Sequence, residues 1–389
     1  MVARNELKKI GIFGSTGSIG TQAVSIIEQY PDFLTASLLT CDTNTSLLRL
    51  QMASLKPKVV VITGTAPPIE LNSLALEFPE TRVLTGSMGL TEAAEYADYD
   101  VMLNALTGIV GLMPTWKALK THRDIAIANK ETLVAGGEFV MTEARKQGSR
   151  IIPVDSEHSA VFQAIQGNEE NDVHAIILTA SGGPFRGYSR DRLKDVSPEQ
   201  ALKHPNWKMG RKVSVDSATM VNKGLEIIEA SRLFGMPEDK INVIVHPQSI
   251  VHSMVEFEDG SIMAQMGAPD MKIPISYALC YPKRLDIEVK RLNLSDIGAL
   301  TFEYPDEAVF PALRLARKAL RTGGGAPAVF NAANEALVEL FLGNRIRFTD
   351  IDVLIERALE FFVGTNVTDV ETVLELDDQV KAWVWKNVR

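Results

Sequence analysis

The chain has 389 residues, 46% of them hydrophobic and 23% charged, with a net charge of −9. That length exceeds one ordinary core, so two or three domains are expected. An acidic balance, with no apolar run near the roughly 20 residues of a membrane helix, argues against nucleic-acid and membrane partners. A phosphorylated small molecule stays open, because local cations can serve it. Two cysteines, Cys41 and Cys280, show no metal-type pairing. With no apolar leader at the N-terminus, a reduced, cytoplasmic setting is expected.

Ile10 to Phe13 reads as a buried strand and Ser18 to Tyr30 as a helix. Leu34 to Thr40, Val59 to Thr63, Val101 to Leu106 and Asp124 to Asn129 read as further strands between helical stretches. This alternation predicts a Rossmann-like doubly wound parallel sheet over 1–150. Ile151 to Asp155 opens a second region, with strands at Ala175 to Thr179 and Val243 to His246. A hairpin follows around Asp259-Gly260. That mixture predicts a central α+β domain over 151–295. From about 296 to 389 helices dominate: Phe310 to Arg321, Asn331 to Leu342, Asp350 to Phe362 and Asp377 to Lys386. The fold class is therefore α/β, with a C-terminal helical domain.

Gly14, Gly17 and Gly20 follow the first strand and open a helix. Glycines let a backbone approach a pyrophosphate, and the helix start supplies amides and positive dipole. Ser15, Thr16 and Ser18 add hydroxyls. The second strand ends at Cys41-Asp42. An acidic residue there usually takes the ribose 2′-hydroxyl of NAD, yet Asp42 reads equally as a turn residue. Thr43, Asn44, Thr45, Ser46 and Arg49 follow and could hold a 2′-phosphate.

Asp155 and Glu157 end an apolar strand, two residues apart, and so should point to one side. Converging carboxylates repel and want a divalent ion, with Glu226 a candidate third ligand; all-oxygen ligands suit Mg²⁺ or Mn²⁺. Ser181, Ser217, Asn222 and Lys223 combine hydroxyls, an amide and an ammonium near a helix start, as a phosphate monoester requires. The polar stretch of about 182–211 carries His204 and Trp207 between possible glycine hinges, which suggests a lid over bound substrate. Lys130 ends a strand on the side of the sheet where ligands bind.

The segments GSTGSIG from Gly14, ANKE from Ala128, PVDSEH from Pro153, SGGPF from Ser181, HPNWKMG from His204, DSATMVNKGLE from Asp216, HPQSIVHSMV from His246 and NAANE from Asn331 together resemble the 1-deoxy-D-xylulose 5-phosphate reductoisomerase family. The resemblance spans nearly the whole chain. It implies an NADPH- and divalent-metal-dependent rearrangement and reduction of a sugar phosphate, by a homodimer. By resemblance, Asp155, Glu157 and Glu226 hold Mg²⁺ or Mn²⁺, with Ser156 and Lys130 beside the substrate. Ser181, Ser217, Asn222 and Lys223 take the phosphate. His204, Trp207 and Met209 form the lid, with Met209 reaching the nicotinamide, and Ser249, His252 and Met271 border the site. Gly14 to Ile19, Ala105, Leu106 and Asn129 line the cofactor, with Asp42, Thr43, Glu131 and Gly210 also assigned to it. Where the family commonly shows Gly-Lys-Asn, this chain has Cys41-Asp42-Thr43. Two rival readings are a plain NAD(P) dehydrogenase and a dinucleotide-sensing protein. Neither requires three metal carboxylates and a tryptophan lid.

Overall fold

The computed structural model of the chain describes residues 7–168, 172–204, 207 and 209–388. The elements begin with β1 (Lys8–Phe13), α1 (Ser18–Gln29), β2 (Leu34–Cys41), α2 (Thr45–Leu55), β3 (Val59–Ile62), α3 (Pro68–Glu77), β4 (Arg82–Thr85) and α4 (Gly86–Tyr96). Next come β5 (Val101–Asn104), α5 (Leu112–Leu119), β6 (Asp124–Ile127), α6 (Lys130–Gln147), β7 (Ile151–Pro153), α7 (Ser156–Ala164) and β8 (Val173–Ala180). Then follow α8 (Arg190–Leu193), α9 (Pro198–Ala201), α10 (Arg211–Ala218), α11 (Val221–Phe234), β9 (Ile241–Val245), β10 (Val251–Phe257), β11 (Ile262–Met266) and α12 (Lys272–Cys280). The chain closes with α13 (Leu294–Ile297), α14 (Ala312–Thr322), α15 (Ala326–Leu342), α16 (Asp350–Phe361) and α17 (Val370–Asn387).

These elements fall into two compact units. The first gathers the described residues of Met1–Asn129, Val140–Asp155 and Asp270–Val289; the second gathers Lys130–Phe139, Ser156–Pro269 and Lys290–Arg389. Helix α6 therefore contributes its two halves to different units.

The first unit is built on a seven-stranded sheet in the order β4-β3-β2-β1-β5-β6-β7, with every pairing parallel. Ile10, Ile12 and Phe13 are fully buried, as expected of a strand covered on both faces. The strand order reverses beside β1, so β1 and β5 flank the switch point where such sheets bind ligands. The second unit carries a four-stranded sheet, β11-β10-β8-β9, antiparallel except for β8 with β9. Helix α7 packs on β10 and β11, while α10, α11 and α14–α17 form a helical layer.

Local chemistry sets the helix ends. Helix α15 begins at Ala326, ahead of the expected Asn331, and Pro327 lies in its first turn, where its fixed φ is suited. Helix α17 begins at Val370, ahead of the expected Asp377, because Asp369 and Thr372 close a capping box. Strand β7 stops at Pro153, so Glu157 lies in the first turn of α7 and not on a strand with Asp155. The alternation argument for those two carboxylates is thereby corrected.

The stretch 182–211 is not one mobile segment. Phe185, Leu193 and Ala201 are buried, and Phe185 meets Phe348 edge-on at 5.1 Å. Arg190 forks onto Asp352 at 2.5 and 2.6 Å and donates to the Val309 and Thr349 carbonyls. Of the expected lid, residues 205, 206 and 208 lie outside the described residues. Burial pushes the Asp352 carboxyl above its usual range even against Arg190, so removing Arg190 strands a costly charge. Arg190→Met should lower unfolding free energy by about 2 kcal/mol in a denaturant titration, below a fully buried pair because Arg190 is 34% exposed. An unchanged midpoint would show that this anchor contributes nothing.

Candidate active site

In the first unit, the loop after β1 is shaped by contacts that permit only glycine. Gly14 has φ +93°, and a Cβ there would lie 2.6 Å from the Ala105 carbonyl; one on Gly20 would lie 2.2 Å from the Gly14 carbonyl. The Gly14 amide donates to Thr40 Oγ1 and the Ser15 amide to the Thr40 carbonyl, both at 2.8 Å. The Ser15 hydroxyl is buried and donates to Gln51 Oε1 at 2.7 Å. It shapes the loop and does not offer a donor at its surface, which corrects that part of the sequence reading. Gly17 and Ser18 are exposed and Thr16 and Ile19 half-buried. The first turn of α1 has amides that the helix itself cannot satisfy. Next to this loop, at the end of β5, Ala105 donates its amide to Phe13. Asn129 Nδ2 holds the following turn through the carbonyls of Leu106 (3.0 Å) and Gly108 (2.9 Å). A backbone cradle at a switch point with a Cβ-free floor fits a dinucleotide pyrophosphate.

The second unit brings the charged residues together. Glu226, in α11, is fully buried, and its carboxylate and that of Glu157 offer oxygens within 4.8 Å of each other. Lys223 bridges them: Nζ lies 2.8 Å from Glu157 Oε1 and also binds Glu226. Burial alone would lower the lysine pKa, but the two carboxylates outweigh it and hold it raised. Asn222 Nδ2 donates to Glu226 Oε1 at 2.5 Å, and Asn222 Oδ1 accepts from Lys130 Nζ at 2.7 Å. Ser156 Oγ donates to Glu157 at 2.5 Å. His158 Nε2 donates to the Glu226 carbonyl at 3.0 Å and Nδ1 faces Glu229 at 3.6 Å, both side chains buried. Asp155 precedes Ser156 directly along the chain. A buried carboxylate and a half-buried one that share a cation are a donor set suited to a hard divalent ion.

A second cluster surrounds Ser181. Trp207 donates its amide to His204 Nδ1 at 2.9 Å, so the neutral ring carries its proton on Nε2 and donates it to Ser181 Oγ, also at 2.9 Å. Burial lowers the His204 pKa, and the same cause lowers that of His252. The His252 ring lies 6.2 Å from the Trp207 ring. A Cβ on Gly183 would lie 2.7 Å from the Ser217 carbonyl, so the Ser181 turn sits against α10. Ser249 is buried with φ +52°. Met209 and Gly210 precede α10. Met271 caps α12 in the first unit.

The geometry thus gathers Glu157, Glu226, Asn222, Lys223 and Lys130, and separately Ser181, His204, Trp207 and His252. Asn222 and Lys223 are held on carboxylates in this state, not turned toward Ser181. Glu131 is buried and pairs with Lys212 at 3.0 Å. Lys212 also meets Asp216 at 2.9 Å, and Asn334 donates to Asp216 at 2.8 Å. Sequence reasoning missed Lys212 and Glu229. Asn334 lay in the NAANE segment, but no spacing rule ties it to Asp216.

The family model described as 1-deoxy-D-xylulose 5-phosphate reductoisomerase matches residues 10–137, and its C-terminal domain models match 151–234 and 266–383. A 1-deoxy-D-xylulose 5-phosphate reductoisomerase of Chloroherpeton thalassium is 47% identical over 379 residues, covering 97% of this chain and 98% of the relative. The solved enzyme from Zymomonas mobilis in complex with NADPH superposes with a TM-score of 0.93 at 38% identity, covering 99% of this chain and 100% of that one. A DOX-P reductoisomerase in complex with NADPH, fosmidomycin and magnesium gives 0.91 at 38% identity, covering 98% of both chains. With matches running from the glycine loop to the last helices, this chain belongs to the 1-deoxy-D-xylulose 5-phosphate reductoisomerase family.

Proposed function

We propose that this chain converts 1-deoxy-D-xylulose 5-phosphate to 2-C-methyl-D-erythritol 4-phosphate, by skeletal rearrangement followed by reduction with NADPH, in isoprenoid precursor synthesis. The observation that carries the reading is the Glu157–Lys223–Glu226 cluster with Asn222 and Lys130 around it. A plain dehydrogenase needs no such cation-bridged carboxylate pair, and a dinucleotide-sensing protein needs neither the pair nor the Ser181 cluster.

In this reading Asp155, Glu157 and Glu226 hold Mg²⁺ or Mn²⁺, which when bound polarises adjacent substrate oxygens. NADPH when bound supplies the hydride, and the Gly14–Ile19 loop with Ala105, Leu106 and Asn129 orients it. Lys130 donates to oxygen charge that develops in the transition state. Glu157, with Ser156 donating to it, moves a substrate hydroxyl proton. Ser181, Ser217, Asn222 and Lys223 grip the phosphate. Lys223 then changes partners as substrate arrives, since its ammonium already serves both carboxylates. His204, Trp207 and Met209 close over the substrate and exclude water. Ser249, His252 and Met271 border the site. The phosphate grip is remote from the reacting carbons, so its binding energy can drive that closure.

The chain acts as a homodimer in this reading. Strand β11 is a sheet edge, and it exposes Ile262 (55%) and Met263 (52%). An apolar edge of that kind invites pairing with a second copy. The described helices include none long and apolar enough to cross a membrane, and a cytoplasmic location accords with the two free cysteines.

Four outcomes test these assignments. The chain should oxidise NADPH when given 1-deoxy-D-xylulose 5-phosphate and Mg²⁺. Glu226→Gln should cut that turnover by at least about 100-fold, beyond the usual cost of disturbing a ligand's own support, while NADPH still binds. Near-normal turnover of that variant at low Mg²⁺ would remove Glu226 from the metal set. In a pH series, kcat should fall on the acid side with an inflection below 6.5, the ordinary histidine value, because burial depresses His204. Protonation occupies Nδ1 and cancels the bond from Trp207, so the closed contact is present above the lowered pKa and lost as pH falls through it. An inflection above 6.5 would contradict this. Finally, Met263→Lys should shift the species seen by sedimentation from dimer toward monomer; an unshifted dimer would place the interface elsewhere.

A further inference from the structure

We infer that Asp42 is a ribose ligand and that this chain accepts NADH alongside NADPH, an assignment that rests on the cofactor reading above. Asp42 follows the last residue of β2 and is exposed. Its carboxylate is held in place: Oδ1 accepts from the Thr63 hydroxyl at 3.1 Å. The backbone beyond β3 runs alongside it, with Thr63 donating to the Cys41 carbonyl at 2.9 Å and Gly64 to the Asp42 carbonyl at 3.1 Å. A Cβ on Gly64 would fall 2.9 Å from Asp42 Oδ1, 2.8 Å from Asp42 O and 2.7 Å from Thr43 Cγ2. Only glycine leaves the room that this seat needs.

A turn residue would use its carboxylate on its own loop. Here that work falls to Asn44, whose side chain accepts from the Leu47 amide at 3.2 Å and caps α2. Asp42 is therefore not needed to shape the turn. A carboxylate fixed at the end of the second strand of a dinucleotide fold accepts from the adenosine ribose diol and opposes a 2′-phosphate.

The cation that would offset this opposition is committed elsewhere. Arg49 is the only Lys or Arg between Asp42 and Leu55. It is paired with Glu77, and it donates to Ser73 Oγ at 3.3 Å. A 2′-phosphate at this strand end meets one carboxylate and an arginine that already shares its charge with Glu77. Thr43 and Ser46 supply hydroxyl donors to it but no charge. A ribose diol meets an acceptor already in position. The balance between the two cofactors is set by Asp42, with Thr63 positioning its carboxylate.

The test is a pair of dissociation constants, for NADPH and for NADH, measured by calorimetry on the full chain without substrate or metal. The two constants should lie within about tenfold of each other. Asp42→Asn, which keeps the side chain's size, should move the ratio at least about tenfold toward NADPH. Thr63→Val should move it the same way by less. A wild-type preference for NADPH beyond about a hundredfold, or a ratio that Asp42→Asn leaves unchanged, overturns the assignment while the reductoisomerase reading stands. Failure of both nucleotides to bind overturns that reading as well.

Discussion

The second unit is organised by the cost of placing Glu157 and Glu226 together. Glu226 is fully buried, and two carboxylates with oxygens within 4.8 Å repel unless a cation lies between them. Lys223 supplies that cation from the next turn of the same helix, an i,i+3 neighbour of Glu226. Asn222 and Lys130 complete the ring around the same oxygens. The side chains proposed to serve metal, phosphate and oxyanion thus already compensate one another's charge. In that proposal an entering ligand exchanges partners and does not meet isolated charges.

That arrangement requires α11 to be held firmly, and the helical layer does so. Gly224 lets α14 approach closely: a Cβ there would lie 3.0 Å from Ala316 Cβ and 3.2 Å from the Ala312 carbonyl. His158 fixes the Glu226 carbonyl from α7. Between α10 and α11, Met220 takes a left-handed conformation at φ +62° that turns the chain sharply. Asn334 in α15 and Lys212 in α10 share Asp216, while Lys212 also takes Glu131, one residue after Lys130. Helices distant in sequence are tied by these bonds to the residues of the proposed site, which is how rigid elements keep a site within tight tolerance. In the first unit Thr40 and Gln51 do comparable work, holding the glycine loop from β2 and α2.

Much was legible in the sequence by itself. Continuous apolar runs, 3.6-residue helical patterns and the glycine spacing determined a parallel sheet with a nucleotide loop at its first strand, because those signals are local. Residue chemistry likewise singled out Glu157, Glu226, Lys223, Ser181 and His204. Only the tertiary structure decided how they are grouped. It put Glu157 in a helix, turned the Ser15 hydroxyl inward onto Gln51, set Lys223 between two carboxylates and anchored most of the supposed lid through Arg190 and Asp352. It also gave Asp42 a seat formed by Thr63 and Gly64. Apart from the helical place of Glu157, each of these outcomes rests on partners 3 to 162 residues away in the chain. Most such pairings are set by packing and desolvation between elements, and those leave no periodic trace in the sequence.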